Sequence, residues 1–192
     1  MTTYVFRPKD ANDPLRLENR ILKMPALFSP PKLRQVHAAG YGGTVWHGTL
    51  DAAYVQPGDY LACGEDVWFV AAKHPLEAPL CIRTLRRLSF TRPSGSVTAG
   101  ATLYGGVVRS ATPDVLTRWP AAVMADAGGG QIALATSSAV QQMLWTVLLP
   151  PQEWLGLQAG DAMRDDLGRF GVVETAERTD LGWHLLVRQS TA

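Results

Sequence analysis

The chain has 192 residues, 46% of them apolar, enough for one compact domain or two small ones with a real core, which argues against a disordered chain. Eighteen Lys and Arg against seventeen Asp and Glu leave a formal net charge of +1, which argues against a general polyanion binder. Eighteen Gly and thirteen Pro favour many turns over long helices, so a mainly β protein is expected.

In chain order, the first residues carry charges where a secretory leader needs an apolar run, so synthesis in a reducing cytoplasm is expected. No apolar run approaches the roughly 20 residues of a spanning helix. Residues 3–31 hold five prolines around one candidate helix. Asp13 can cap it and Pro14 can take its first position; Leu15, Leu17, Ile21 and Leu22 show partial helical spacing, and Met24-Pro25 ends it. Residues 1–41 therefore read as a Pro-rich arm with a short helix, laid on a partner surface through Leu15 and Ile21 or packed on its own domain.

Residues 42–94 read as a first β module. Strand formers occur at 44–50, 66–72 and 80–91, with turns at Pro57-Gly58-Asp59 and Cys63-Gly64-Glu65-Asp66. Alternation in the last run places Ile82, Leu88 and Phe90 on one face, with Arg83, Leu85 and Arg87 on the other. Arg92-Pro93-Ser94-Gly95-Ser96 reads as a connector, and residues 95–192 as a second β module. Within it, Thr112-Pro113-Asp114 opens a short helix through Arg118, Val123-Met124 marks a strand, 127–130 a flexible tip, and 142–149 a strand buried on both faces.

An internal repeat ties the modules together. Val55-Gln56-Pro57-Gly58-Asp59-Tyr60-Leu61 aligns with Leu157-Gln158-Ala159-Gly160-Asp161-Ala162-Met163 at a spacing of 102 residues. Gly permits the positive φ of a turn, and Asp can accept from nearby backbone amides to start the next strand. Gln56, Gly58, Asp59, Gln158, Gly160 and Asp161 are thus read as paired structural turns rather than as a carboxylate dyad. An acidic turn, an aromatic-led strand and a later strand (80–88 and 183–188) follow in each copy.

The C-terminal unit, Leu157 to Val173 followed by Arg178 to Arg188, resembles a hairpin pattern of small virion proteins of tailed bacteriophages. The N-terminal half, with Gly40-Tyr41-Gly42, Trp46-His47-Gly48 and Gln56-Pro57-Gly58-Asp59-Tyr60-Leu61, is similar to uncharacterised proteins encoded among phage and prophage morphogenesis genes. The resemblance omits only about residues 95–140, and its motifs are structural. It implies two related small antiparallel β-barrels in a non-enzymatic virion component of the tail or baseplate. Its implied partners are copies of itself in a ring or symmetric assembly, and other tail or neck proteins. The alternatives are a head-tail neck connector, or a module that binds carbohydrate or another small ligand.

The search for chemistry yields no catalytic, metal or cofactor residues: phosphate-loop, HExxH, GxSxG and EF-hand patterns are absent from the sequence. His37, His47, His74 and His184 are scattered, and Cys63 and Cys81 lack metal-ligand spacing and read as buried apolar residues. Arg83, Arg86, Arg87 and Arg92 form one basic patch, read as a solvated face or an inter-subunit ion-pair row rather than a nucleic-acid site. Of six tryptophans, Trp46, Trp68, Trp145 and Trp183 read as core or rim; Trp119, before Pro120, and Trp154, in a Pro-rich turn, read as interface candidates or equally as lids over their own barrel.

Overall fold

The computed structural model describes residues 1–30, 45–93, 113–126 and 144–190. Among them the chain is mainly β, in antiparallel sheets that include a closed six-stranded barrel, with no α-helix. The first sheet contains β1 (Thr2–Phe6), β2 (Arg20–Pro25), β3 (Leu27–Ser29), β4 (Val45–Thr49), β5 (Tyr60–Cys63), β6 (Asp66–Ala72) and β7 (Leu80–Thr84). Its order is β2-β1-β5-β6-β7-β4-β3. The two edge strands β2 and β3 are separated in the chain by Ala26 alone, so the sheet curls until its edges meet there. Inside lie Val5, Leu61, Trp68, Val70 and Cys81.

The closed barrel contains β8 (Arg86–Thr91), β9 (Asp114–Asp126), β10 (Leu144–Leu149), β11 (Ala162–Asp165), β12 (Phe170–Thr179) and β13 (Gly182–Ser190). Its order is β10-β13-β12-β11-β8-β9. Counting the broken pair β2/β3 as one strand, the two rings have the same order. β1 answers to β8, β2/β3 to β9, β4 to β10, and β5, β6, β7 to β11, β12, β13. Registers agree as well, since the row Val5, Leu61, Trp68 of the first ring matches Phe90, Met163, Gly171 of the second. The duplication therefore extends beyond the span read from the sequence, 55–88 and 157–188, to the whole six-stranded unit.

Several expectations are corrected. Residues 1–30 are not an arm: β1 lies inside the first sheet between β2 and β5. The helix expected after Pro14 is a single 3₁₀ turn at Leu17–Asn19 followed by β2, because pairing of β2 with β1 outweighs the partial helical spacing. The helix expected to start at Thr112-Pro113-Asp114 is the start of β9. The boundary falls at Leu85 rather than at 92–96, because β8 is already the first strand of the second ring, so Leu80–Thr84 of β7 matches the end of β13. β10 buries alternate residues rather than both faces. The flexible tip expected at 127–130 lies outside the described residues, as do Gly40-Tyr41-Gly42 and most of the expected connector.

The two rings fill their interiors differently at equivalent places. In the first, Trp68 is buried and Trp46 meets it edge-on, with centroids 6.4 Å apart. In the second, Trp145 stands in place of Trp46 and Gly171 in place of Trp68. A Cβ on Gly171 would come within 2.6 Å of Val187 Cγ1, 3.0 Å of the Arg188 carbonyl oxygen and 3.4 Å of Trp145 Cζ3. Gly171→Ala is thus expected to destabilise the chain by about 1–3 kcal/mol through overpacking, read as a lowered midpoint in urea without a change in slope.

The rings meet at an aromatic wall. Phe6, Tyr60, Phe69 and Ile82 are neighbours across β1, β5, β6 and β7 and point away from the first ring's interior, into the core of the second ring. Tyr60 stands edge-on to Trp119 at 5.9 Å, and its hydroxyl donates to the Pro120 carbonyl at 2.7 Å. A strap from the N-terminal segment crosses the junction. The Ala11 carbonyl accepts from Trp119 Nε1 and from the Thr117 amide, each at 2.9 Å. The Asp13 carboxylate takes Arg87 Nη1 at 2.7 Å.

Candidate functional site

The repeated turns are the most fully determined sites in the molecule. Gly58 and Gly160 have φ of +95 and +90, values that only glycine adopts without strain. In the first turn the Asp59 carboxylate accepts from the Gln56 amide at 2.8 Å and takes both Arg7 Nε and Nη2, at 2.8 and 2.7 Å. In the second, Asp161 accepts from the Gln158 amide at 3.0 Å and takes Arg92 Nε and Nη2, at 2.8 and 3.0 Å. Backbone bonds repeat too: Gly58 donates to Val70 and Gly160 to Val173, each at 2.8 Å. Both aspartate side chains are buried, and both arginines are about one-third exposed.

Each clamp joins the end of the ring's first strand to the turn before its fourth, and so fixes the register of β1 against β5 and of β8 against β11. Hydrogen bonds donated to Asp59 and Asp161 hold the Arg7 and Arg92 guanidiniums in their charged form, against a smaller cost of desolvation. Arg92, read from sequence as part of a basic connector, is therefore a clamp residue. Arg7 has no place in the sequence reading, yet a signal exists: both arginines precede a proline, as Arg7-Pro8 and Arg92-Pro93.

The remaining site candidates disperse. Trp119 is fully buried at the junction of the two rings, so the partner it meets is its own chain. Trp154 is 44% exposed and lies edge-on to Trp119 at 5.7 Å. Arg83 belongs to the first ring, where its Nε reaches Asp66 at 3.2 Å and its guanidinium lies over Trp46. Arg87 belongs to the second ring and pairs with Asp13; Arg86, half-buried, sits opposite Ala121. The patch expected on one strand face is thus divided between two rings, because the chain changes rings at Leu85. Leu15 packs against the junction core, whereas Ile21 is 40% exposed on β2.

Titratable groups are mostly tied into local structure. Burial pushes the Cys81 thiol up to about 12, which leaves it protonated and unreactive. Among the described residues no group of three or more His, Cys, Asp or Glu side chains could hold a metal ion. Asp165 sits at the β11–β12 turn. Its burial would raise the carboxyl pKa, but the Arg169 amide and guanidinium and the Leu167 amide together outweigh that and hold it below its ordinary 3.8. A carboxylate with a lowered native pKa stabilises the fold above its unfolded value and loses that contribution as pH falls through the native one. Stability measured from neutral pH to below pH 3.8 is accordingly expected to fall less steeply in Asp165→Asn, which starts lower at neutral pH.

A separate cleft of about 430 Å³ opens on the outer face of the second ring, lined by Arg87, Ser89, Arg118, Arg164, Asp165, Asp166 and Gly168. Arg118 and Arg164 are not site candidates in the sequence reading, because β8, β9 and β11 bring them together from distant stretches of chain. Compared with known proteins, the chain matches no family model, no curated protein and no solved structure.

Proposed function

We propose that this protein is a non-enzymatic structural component of a tailed-phage particle, joining or lining the tail or baseplate through protein-protein interfaces. On this reading it assembles with copies of itself and with other tail or neck proteins, and is found in the virion. The observation that carries the reading is the duplication of one strand order, closed into a barrel in the second unit, together with its buried Asp–Arg clamp. Two such rings locked by an aromatic wall make a stiff body whose outer strands are available for docking. Exposed apolar side chains on the first ring supply contact area: Leu27 is 60% and Tyr54 59% exposed. The likeness of the Gln-x-Gly-Asp units to virion proteins supplies the phage context.

Light scattering on the purified chain over a range of concentrations, together with peptide mass fingerprinting of purified particles, tests the proposal. A symmetric oligomer and a fixed copy number per particle are expected. A chain that stays monomeric and is missing from particles overturns it. Labelling in particle images separates the tail or baseplate from the neck, which is the alternative station.

A further inference from the structure

We propose that the cleft of the second ring is a docking site for an acidic segment of a partner protein, held by Arg87, Arg118 and Arg164 around Ser89. The proposal rests on the reading that this chain works through protein contacts, and names the chemistry of one such contact.

Ser89 and Arg164 are direct cross-strand neighbours on β8 and β11, and Arg87 lies two residues before Ser89 on the same face. Arg118 flanks Ser89 from β9, where its amide donates to Ser89 Oγ at 3.0 Å. Three arginines thus line one cleft with Ser89. Beside accepting this bond, the Ser89 hydroxyl carries one proton that it can donate to a ligand acceptor.

Arg118 has φ of 55, the one positive φ among the described non-glycine residues, at a register shift between β8 and β9. The shift and the bond to Ser89 hold it in this strained conformation, and its side chain is 67% exposed.

Neighbouring acids neutralise these cations only in part. Asp13 serves two of them, with Arg87 at 2.7 Å and Arg118 at 4.0 Å. Asp165 is spent on Arg169 and two backbone amides. Among the described residues Arg164 pairs with no carboxylate and lies over the Phe170 ring at 5.3 Å. The exposed Asp166 also lines the cleft.

Planar guanidiniums match carboxylates through two parallel bonds, so a short Asp or Glu segment suits the arrangement. A nucleic acid is disfavoured because the cationic surface is one cleft rather than a track, and a net charge of +1 gives little long-range attraction.

Fluorescence anisotropy of a labelled oligoglutamate peptide, titrated with the full chain at low and physiological salt, tests this whatever the oligomeric state. Saturable binding that weakens with salt is expected. Arg118→Gly with Arg164→Gln should weaken it roughly tenfold or more, as loss of charged hydrogen bonds implies. Arg118→Gly relieves the strained backbone, so the melting temperature of that single variant should not fall. Arg20→Gln, which removes an exposed guanidinium over the Tyr4 ring of the first sheet, should leave binding unchanged. Absence of saturable binding, equal loss in Arg20→Gln, or tighter binding of a short DNA duplex that the same substitutions abolish overturns the proposal. Failure here leaves the oligomer and particle measurements above to decide the structural role separately.

Discussion

Replacing either clamp aspartate by asparagine, Asp59→Asn or Asp161→Asn, is expected to destabilise the chain by about 2–4 kcal/mol. Each carboxylate receives two bonds from one guanidinium and one from the backbone N–H of a glutamine, with side-chain exposure of 2% at Asp59 and 0% at Asp161. Asparagine keeps the shape but offers one oxygen, and turns its amide donors toward a guanidinium that only donates. The arginines are partly hydrated, which places the loss below that of a fully enclosed pair. Urea unfolding of the single and double variants measures it. The two clamps lie in different rings, so near-additive losses are expected. A loss under about 0.5 kcal/mol in both single variants would show that the clamps only decorate turns already set by glycine. Arg7→Lys and Arg92→Lys should recover little, since an ammonium cannot match the two-pronged geometry.

Trp119→Ala should cost more, about 3–5 kcal/mol, because it empties a fully buried site where four groups converge. The indole is the edge-on partner of Tyr60 and of Trp154, donates to the Ala11 carbonyl, and lies beside the Pro120 carbonyl that anchors Tyr60. Its removal weakens the contact between the rings while leaving both Asp–Arg clamps intact. One cooperative calorimetric transition in the natural chain should therefore broaden or divide into two in the variant. A sharp single transition at an unchanged temperature would mean that Leu85 and the strap alone couple the rings. Tyr60→Phe, which loses one buried hydrogen bond and keeps the ring, should cost only about 1 kcal/mol by the same measurement.

Much of the fold was legible in the residues. Turn chemistry acts over three or four positions, so the pattern around Gly58-Asp59 and Gly160-Asp161 declared two equivalent strand starts. Apolar runs at 66–72 and 80–84 became strands for the same local reason, since β-branched and aromatic residues bounded by turns have few other uses. The Arg-Pro pairs that complete the clamps were also present, but only their pairing with a buried carboxylate gives them meaning.

The residues alone determined a mainly β chain and the presence of its repeated turns. Tertiary structure decided everything that depends on which strand lies beside which. Arg20–Pro25 is a strand because β1 offers it a ladder, although Leu15, Ile21 and Leu22 hint at a helix. Trp119 lies at the centre rather than on the surface because the second ring receives the first at that point. Arg83 and Arg87 face different partners because Leu85 carries the chain from one ring to the other. Strand pairing joins residues tens of positions apart, and its energy comes from registers and buried rows that exist only once both partners are in place. A local pattern therefore specifies the pieces, and long-range pairing specifies what each piece meets.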